Sequence, residues 1–258
     1  MKTGATNLIH PNHITNDAQG DGSNADRGRR AKGFERGRAE RDGSRDSIGA
    51  KRYLSDLHWK MLNEESGILP DVIFERPYET IDAERQRALG FPVTPEQAGT
   101  ESLLIRLHGL SEEVPTQYQV RPNVPRTLKD SNGKPRVVKY EGQPRKQPIL
   151  DVHPRSRELL KEIKTSLWIG EGVRKGDSGV SRGLCVINLS GVWAWLHNKV
   201  ALPDWRLVPL KNRQVYICFD SDALIKRGVG LAVRELGGFL ELHGATVKVI
   251  DWEAGFNG

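Results

Sequence analysis

Asp220 and Asp222 stand one residue apart at the end of an apolar run, Gln214-Val215-Tyr216-Ile217-Cys218-Phe219. Upstream, Leu167-Trp168-Ile169-Gly170 closes in the same way on an acid beside glycine, Glu171-Gly172. If the two runs are neighbours in space, three carboxylates converge on one small volume, and their mutual repulsion calls for a counterion. Oxygen donors without His or Cys favour a hard cation, Mg²⁺ or Mn²⁺. Such an ion on Asp220 and Asp222 would bind a substrate phosphate and stabilise charge on a transferring group, which is phosphoryl-transfer chemistry. Burial beside the aspartates would raise the proton affinity of Glu171 when the metal is absent. Taken alone, Asp-X-Asp after a strand reads first as a turn or a helix cap. The second acid-terminated run is what makes it a candidate site.

The elements that must position these acids can be read from the pattern around them. Short runs rich in β-branched and aromatic residues read as buried strands rather than helices, and open α/β sheets bind ligands at the carboxyl ends of their strands. The order is strand over 167–170, a poor helix over 173–182, strand over 184–189, a Trp-rich loop, strand over 214–219, helix over 229–242 and strand over 246–250. This alternation implies a parallel sheet with right-handed crossovers. Val229, Ala232, Val233, Leu236 and Leu240 share one face of the long helix. Gly237 and Gly238 each cost it roughly 1 kcal/mol relative to Ala, so tight packing or a local break is expected there.

Before this segment, Tyr53, Leu54, Leu57, Trp59, Met61 and Leu62 recur at helical spacing up to Gly67, and a second small helix over 81–89 stops at Gly90-Phe91-Pro92. Strands follow over 103–107, 117–122 and 135–141, with turns at Pro122-Asn123 and Asn132-Gly133. Between Arg121 and Lys146 there are eight Lys or Arg against Asp130 and Glu141, with Tyr118 and Tyr140 alongside. A basic strip with aromatic neighbours suits a nucleic-acid strand tracked by its phosphates and stacked bases; an ordinary charged sheet face has the same composition. Residues 1–47 carry almost no large apolar side chain, so a disordered arm is expected. Its Arg27 to Arg45 stretch, with eight basic and three acidic residues, reads first as a solvated linker and second as a loose nucleic-acid contact.

At 258 residues the chain has room for one good-sized domain or one domain with a tail, and a net charge of +6 suggests an anionic partner. There is no apolar run near the roughly 18 residues of a membrane span, nor a signal-peptide core, so a cytoplasmic protein without membrane contact is expected. Cys185 and Cys218 fall in apolar runs and read as buried free thiols. Lys199, Lys211 and Arg213 read as solvated surface residues, and Trp193, Trp195 and Trp205 as packing. Gly176-Asp177-Ser178-Gly179 has the look of a serine-protease nucleophile motif, but it lies in a helix-bound segment. Without a Gly-Lys-Ser/Thr phosphate loop, the strand ending in Asp is no ATPase element.

Taken together, the acid-glycine strand end and the later Asp-X-Asp strand end resemble the Toprim module of bacterial-type primases, topoisomerases and some nucleases. Glu171-Gly172-Val173-Arg174-Lys175, Ser190-Gly191-Val192-Trp193-Ala194-Trp195 and Phe219-Asp220-Ser221-Asp222 are similar to an uncharacterised Toprim-like family in primase and helicase-primase proteins of phages, plasmids and integrative elements. The resemblance implies an α/β fold: a Toprim-like parallel sheet flanked by helices over 166–258, a small helical and β-rich basic subdomain over 48–165, and the disordered arm. It implies a metal-dependent nucleic-acid enzyme, first a primase-type nucleotidyltransferase acting on DNA or RNA and nucleotides beside a replicative helicase. Glu171, Asp220 and Asp222 would be its catalytic and metal residues, with Glu171 as ligand or as general acid or base toward a nucleotide hydroxyl. Arg121 and Lys139-Tyr140 stand where such primases carry groups facing the metal site across a groove, and Lys175 would neutralise the acids or meet a phosphate. The alternatives are a non-catalytic or truncated binding module working with a helicase, and a Toprim nuclease. This chain departs from the pattern in having Lys175 where primases place an Asp, with Asp177 two residues later. It also stops at Gly258, where related sequences continue into a further acidic element, so the resemblance implies a missing ligand.

Overall fold

In the computed structural model, the described residues are 7–9, 53–111, 116–129, 133–220 and 227–250. Apart from 7–9, the arm expected over 1–47 lies outside them, as do Asp222 and Asn132 of the expected turn. Asn7–Ile9 form a short strand, β1.

An amino-terminal lobe begins with α1 (Asp56–Lys60), which runs on as a π-helical turn over Met61–Glu65 and ends at Gly67, whose φ of 60° is the left-handed conformation glycine accepts without a Cβ clash. A helix that periodicity missed, α2 (Pro70–Glu75), starts on a proline, which suits a first helical position. It is followed by β2 (Glu79–Ile81) and by α3 (Ala83–Ala88), which Asp82 caps by accepting a 2.8 Å bond from the Arg85 amide. The strands β3 (Ser102–Leu107), β4 (Gln117–Pro122), β5 (Arg126–Lys129), β6 (Pro135–Val138) and β7 (Glu141–Gly142) complete the lobe. They make an antiparallel sheet ordered β2-β3-β4-β7 and a separate β5-β6 hairpin. The single strand expected over 135–141 is therefore two. Glu141 turns inward to a bidentate pair with Arg126, at 2.9 and 2.6 Å, and Lys139-Tyr140 become the corner between the two sheets.

After α4 (Ser156–Lys161) come β8 (Leu167–Glu171), α5 (Val173–Val180), β9 (Cys185–Leu189), the small hairpin β10 (Leu196–His197) and β11 (Val200–Ala201), β12 (Gln214–Cys218), α6 (Arg227–Leu242) and β13 (Thr246–Ile250). All pairings in the larger sheet are parallel and its order is β1-β13-β12-β8-β9. The protein is thus a mixed α/β fold with a parallel sheet flanked by helices. None of the described helices is long and apolar enough to cross a membrane.

Strand alternation divides the sheet into two faces. Leu167, Ile169, Ile187, Val215 and Ile217 pack with Leu236 and Leu240 of α6 in one core, whereas Val186 and Trp168 join Val173 and Val180 of α5 and the apolar side chains of the amino-terminal lobe. α6 is unbroken at Gly237 and Gly238; an added Cβ would make only ordinary contact at Gly237, 3.9 Å from Ile217 and Val247, and none within 4 Å at Gly238, so the glycines mark neither a break nor tight packing. Trp195 and Trp205 are core residues against Phe239. Arg213, expected on the surface, is fully buried and donates to the carbonyls of Leu159, Leu160 and Thr165, tying the end of α4 to the approach to β12.

A buried polar seam joins the lobes. Arg76, at the end of α2, donates to both carboxylate oxygens of Asp151 at 2.8 and 3.0 Å and ion-pairs with Asp177 of α5 at 2.7 Å. Tyr78 donates to Asp177 at 2.7 Å, and Asn188 of β9 donates to Asp151 at 2.9 Å. Burial opposes the charge on Arg76, but Asp151 and Asp177 together outweigh it and raise its pKa, so the guanidinium stays charged in the interior.

Candidate functional site

β8 sends its chain through α5 to β9 on one side, and β12 sends its chain through α6 to β13 on the other. The carboxyl ends of β8 and β12 therefore flank the point where strand order reverses, the place where open α/β sheets form a ligand crevice. The register Cys218↔Gly170 puts Glu171 one residue past that pair and Asp220 two. The two acids thus end neighbouring strands. Asp222 lies outside the described residues.

A groove of about 1230 Å³ opens beside Asp220. Its floor is the α5-side face of the sheet, with Trp168, Gly170 and Cys218; Arg174, Lys175 and Arg182 edge it along and just past α5; Tyr140 reaches it from the amino-terminal lobe. Lys175 forms an ion pair with Asp220, and both side chains are about half exposed, which keeps the pair weak. Burial pushes the Cys218 thiol up to about 11, a shift that Asp220 adds to and Lys175 opposes, so the thiol is neutral and unreactive at physiological pH. The Arg121 guanidinium lies 5.9 Å from the Tyr140 ring centroid, and the Tyr140 hydroxyl accepts a 3.3 Å hydrogen bond from Arg174.

Of the residues singled out in the sequence, Tyr140, Lys175 and Asp220 line one groove, and Arg121 is not among its lining side chains but contacts the Tyr140 ring. Lys139 is exposed beside Tyr140. Glu171 is half-buried at the end of β8 and is not among the side chains lining the groove. By strand alternation it lies on the face of Ile169, opposite that of Gly170. Asp177 is fully buried in the seam, so it is not open to substrate.

Hard carboxylate oxygens at the ends of β8 and β12 suit Mg²⁺ or Mn²⁺, and the ammonium of Lys175 on Asp220 marks that carboxylate as a place for positive charge. Asp220 and Glu171 are the described acids of the expected metal set, and Glu171 stays outside the groove that Asp220 lines. No group of three His, Cys, Asp or Glu side chains fit to bind one occurs among the described residues.

Sequence reasoning missed Arg174, Arg182 and Trp168 as groove residues. The i, i+4 spacing of Arg174, Ser178 and Arg182 was the available signal for one basic edge.

Residues 157–258 match the family described as a domain of unknown function (DUF3854), a span that begins in α4 and takes in the crossovers from β8 through β13. No curated protein and no solved structure matches the chain.

Proposed function

We propose that the protein is a metal-dependent nucleic-acid enzyme of mobile-element replication, in the first instance a primase-type nucleotidyltransferase with a Toprim-like sheet. The observation that carries this reading is Asp220 at the strand-order reversal, opening on a groove that Lys175 edges and that Tyr140 reaches from the amino-terminal lobe, with Arg121 against the Tyr140 ring. A divalent ion, when bound, supplies charge stabilisation for phosphoryl transfer. The chain's own residues do the rest. Asp220, with Glu171 at the neighbouring strand end, would hold the ion, Lys175 and Arg121 would attract the phosphates of template and nucleotide, and Tyr140 would offer a ring for stacking. Glu171 would take or give a proton at a nucleotide hydroxyl. A replicative helicase would supply the single-stranded template.

Incubation with single-stranded template, ribonucleotides and Mg²⁺ or Mn²⁺ tests the reading. Short primers from the wild type and none from Asp220→Ala support it, whereas equal product from both refutes the assigned site. Metal-dependent nicking of supercoiled plasmid without primer synthesis would reassign the chemistry to a Toprim nuclease.

One observation favours a second reading, a binding module without catalysis: the carboxylate of Asp220 already carries an internal counter-ion in Lys175. Strand binding that is unchanged by chelator, with neither synthesis nor cleavage, would establish that alternative.

A further inference from the structure

The groove contains features that chemistry at the acid rim does not use. Trp168 of β8 lines it and stacks on Tyr216 of β12, with ring centroids 4.4 Å apart and planes within 15°. Lys248 of β13 stands 5.8 Å from the Tyr216 centroid, so the aromatic pair is backed by a cation. Leu184 and Val186 extend the apolar floor beside Trp168.

The charged edge of the groove is unequal. Arg174 donates only to uncharged oxygens, those of Ser66, Met61 and Tyr140, and Arg182 only to those of Gly67 and Ser178. Among the described residues, neither guanidinium meets a carboxylate. Of the acids that line the groove, Asp220 is matched by Lys175 and Glu65 stands alone against two arginines. An indole on an apolar floor beside unneutralised guanidinium charge calls for a ligand that is flat and apolar at one end and anionic at the other.

We propose that this groove is a nucleotide subsite in which the base lies against Trp168 and the phosphate is held by Arg174 and Arg182. The assignment deepens the nucleic-acid reading given above and rests on it for the class of ligand. It does not rest on the metal, because ring stacking and guanidinium–phosphate pairing both operate without a divalent ion.

The test is calorimetric titration of the full chain, in EDTA, with AMP, with adenosine and with inorganic phosphate. AMP should bind at least about 10-fold more tightly than either fragment, since only AMP engages both ends of the groove. Trp168→Leu should weaken AMP about 10-fold, Trp168→Phe should keep most of the affinity, and Arg182→Gln, at an exposed position, should weaken AMP but not adenosine. Phosphate binding as tightly as AMP, AMP binding unchanged in a folded Trp168→Leu protein, or no AMP binding at millimolar concentration would each overturn the proposal. Failure of the catalytic reading looks different. AMP binding of the expected pattern by a protein that makes no primers with any metal supports the subsite and removes the nucleotidyltransferase, whereas primer synthesis without AMP binding in EDTA does the reverse.

Discussion

Lys175 sits on the carboxylate of Asp220 at the mouth of the groove, so any divalent ion that binds Asp220 must compete with a tethered ammonium. Lys175→Met should therefore tighten Mn²⁺ binding severalfold in a paramagnetic titration, and Asp220→Asn should weaken it; unchanged affinity in both would place the metal elsewhere. Gly176 supports a second prediction. A Cβ at that position would fall 1.6 Å from the Asn188 side chain, so Gly176→Ala should destabilise the fold by about 1–3 kcal/mol in urea unfolding, opposite to the gain expected from helix propensity alone. The sequence marked Gly176 only as a poor helix former, because its real constraint comes from a strand twelve residues further on. Arg213 was misjudged, and the burial of Asp177 went unforeseen, for the same kind of reason. Charged residues are read as solvated by default, and only the tertiary structure places the Leu159 and Leu160 carbonyls around Arg213, or Arg76 and Tyr78 around Asp177.

The element that holds the groove in shape is α5, pinned at its middle through Asp177 to the end of α2. Because each member of the Arg76–Asp151–Asp177 group is buried with its partners, Arg76→Met should cost about 3–5 kcal/mol by leaving carboxylates uncompensated. Adding Asp177→Leu to that variant should recover part of the loss. A single-variant cost below about 1 kcal/mol would show the seam to be incidental. From β8 to β13 the strands of the parallel sheet and the helices α5 and α6 were legible in the sequence to within about two residues, since their apolar runs are short, β-branched and bounded by glycine or charge, whereas β1 fell in the stretch expected to be a disordered arm. The amino-terminal lobe was less so. The six-residue α2 is too short to establish a period, and the break at Lys139-Tyr140 depends on the long-range pairing of Glu141 with Arg126. The site was legible at Asp220, Lys175 and Tyr140, and its arginine and tryptophan walls depend on how α5 sits against the sheet.

For the molecule as a whole, acid should be destabilising. His58, His108 and His153 are all held below the ordinary imidazole value, first by burial, with His108 lowered to about 4. As pH falls below about 6.5 the unfolded chain takes up protons that the native state refuses, so stability is complete above that value and is lost on the way to about pH 4. Tm at pH 5 should lie roughly 5 °C or more below Tm at pH 7.5; equal values would mean that these histidines are not buried neutral. Strand binding by the basic groove should weaken steeply with salt, by counterion release from the phosphates, and flat salt dependence would argue against a phosphate-tracking surface. The central claim is that the rim at β8 and β12 is a metal-dependent phosphoryl-transfer site. It is tested most directly by single-turnover dinucleotide formation on a single-stranded template with Mn²⁺, comparing the wild type with Asp220→Asn at matched fold and template affinity. The expected result is a loss of at least about 100-fold in the variant, the scale on which removal of charge stabilisation is felt; equal rates from the two proteins would contradict the account.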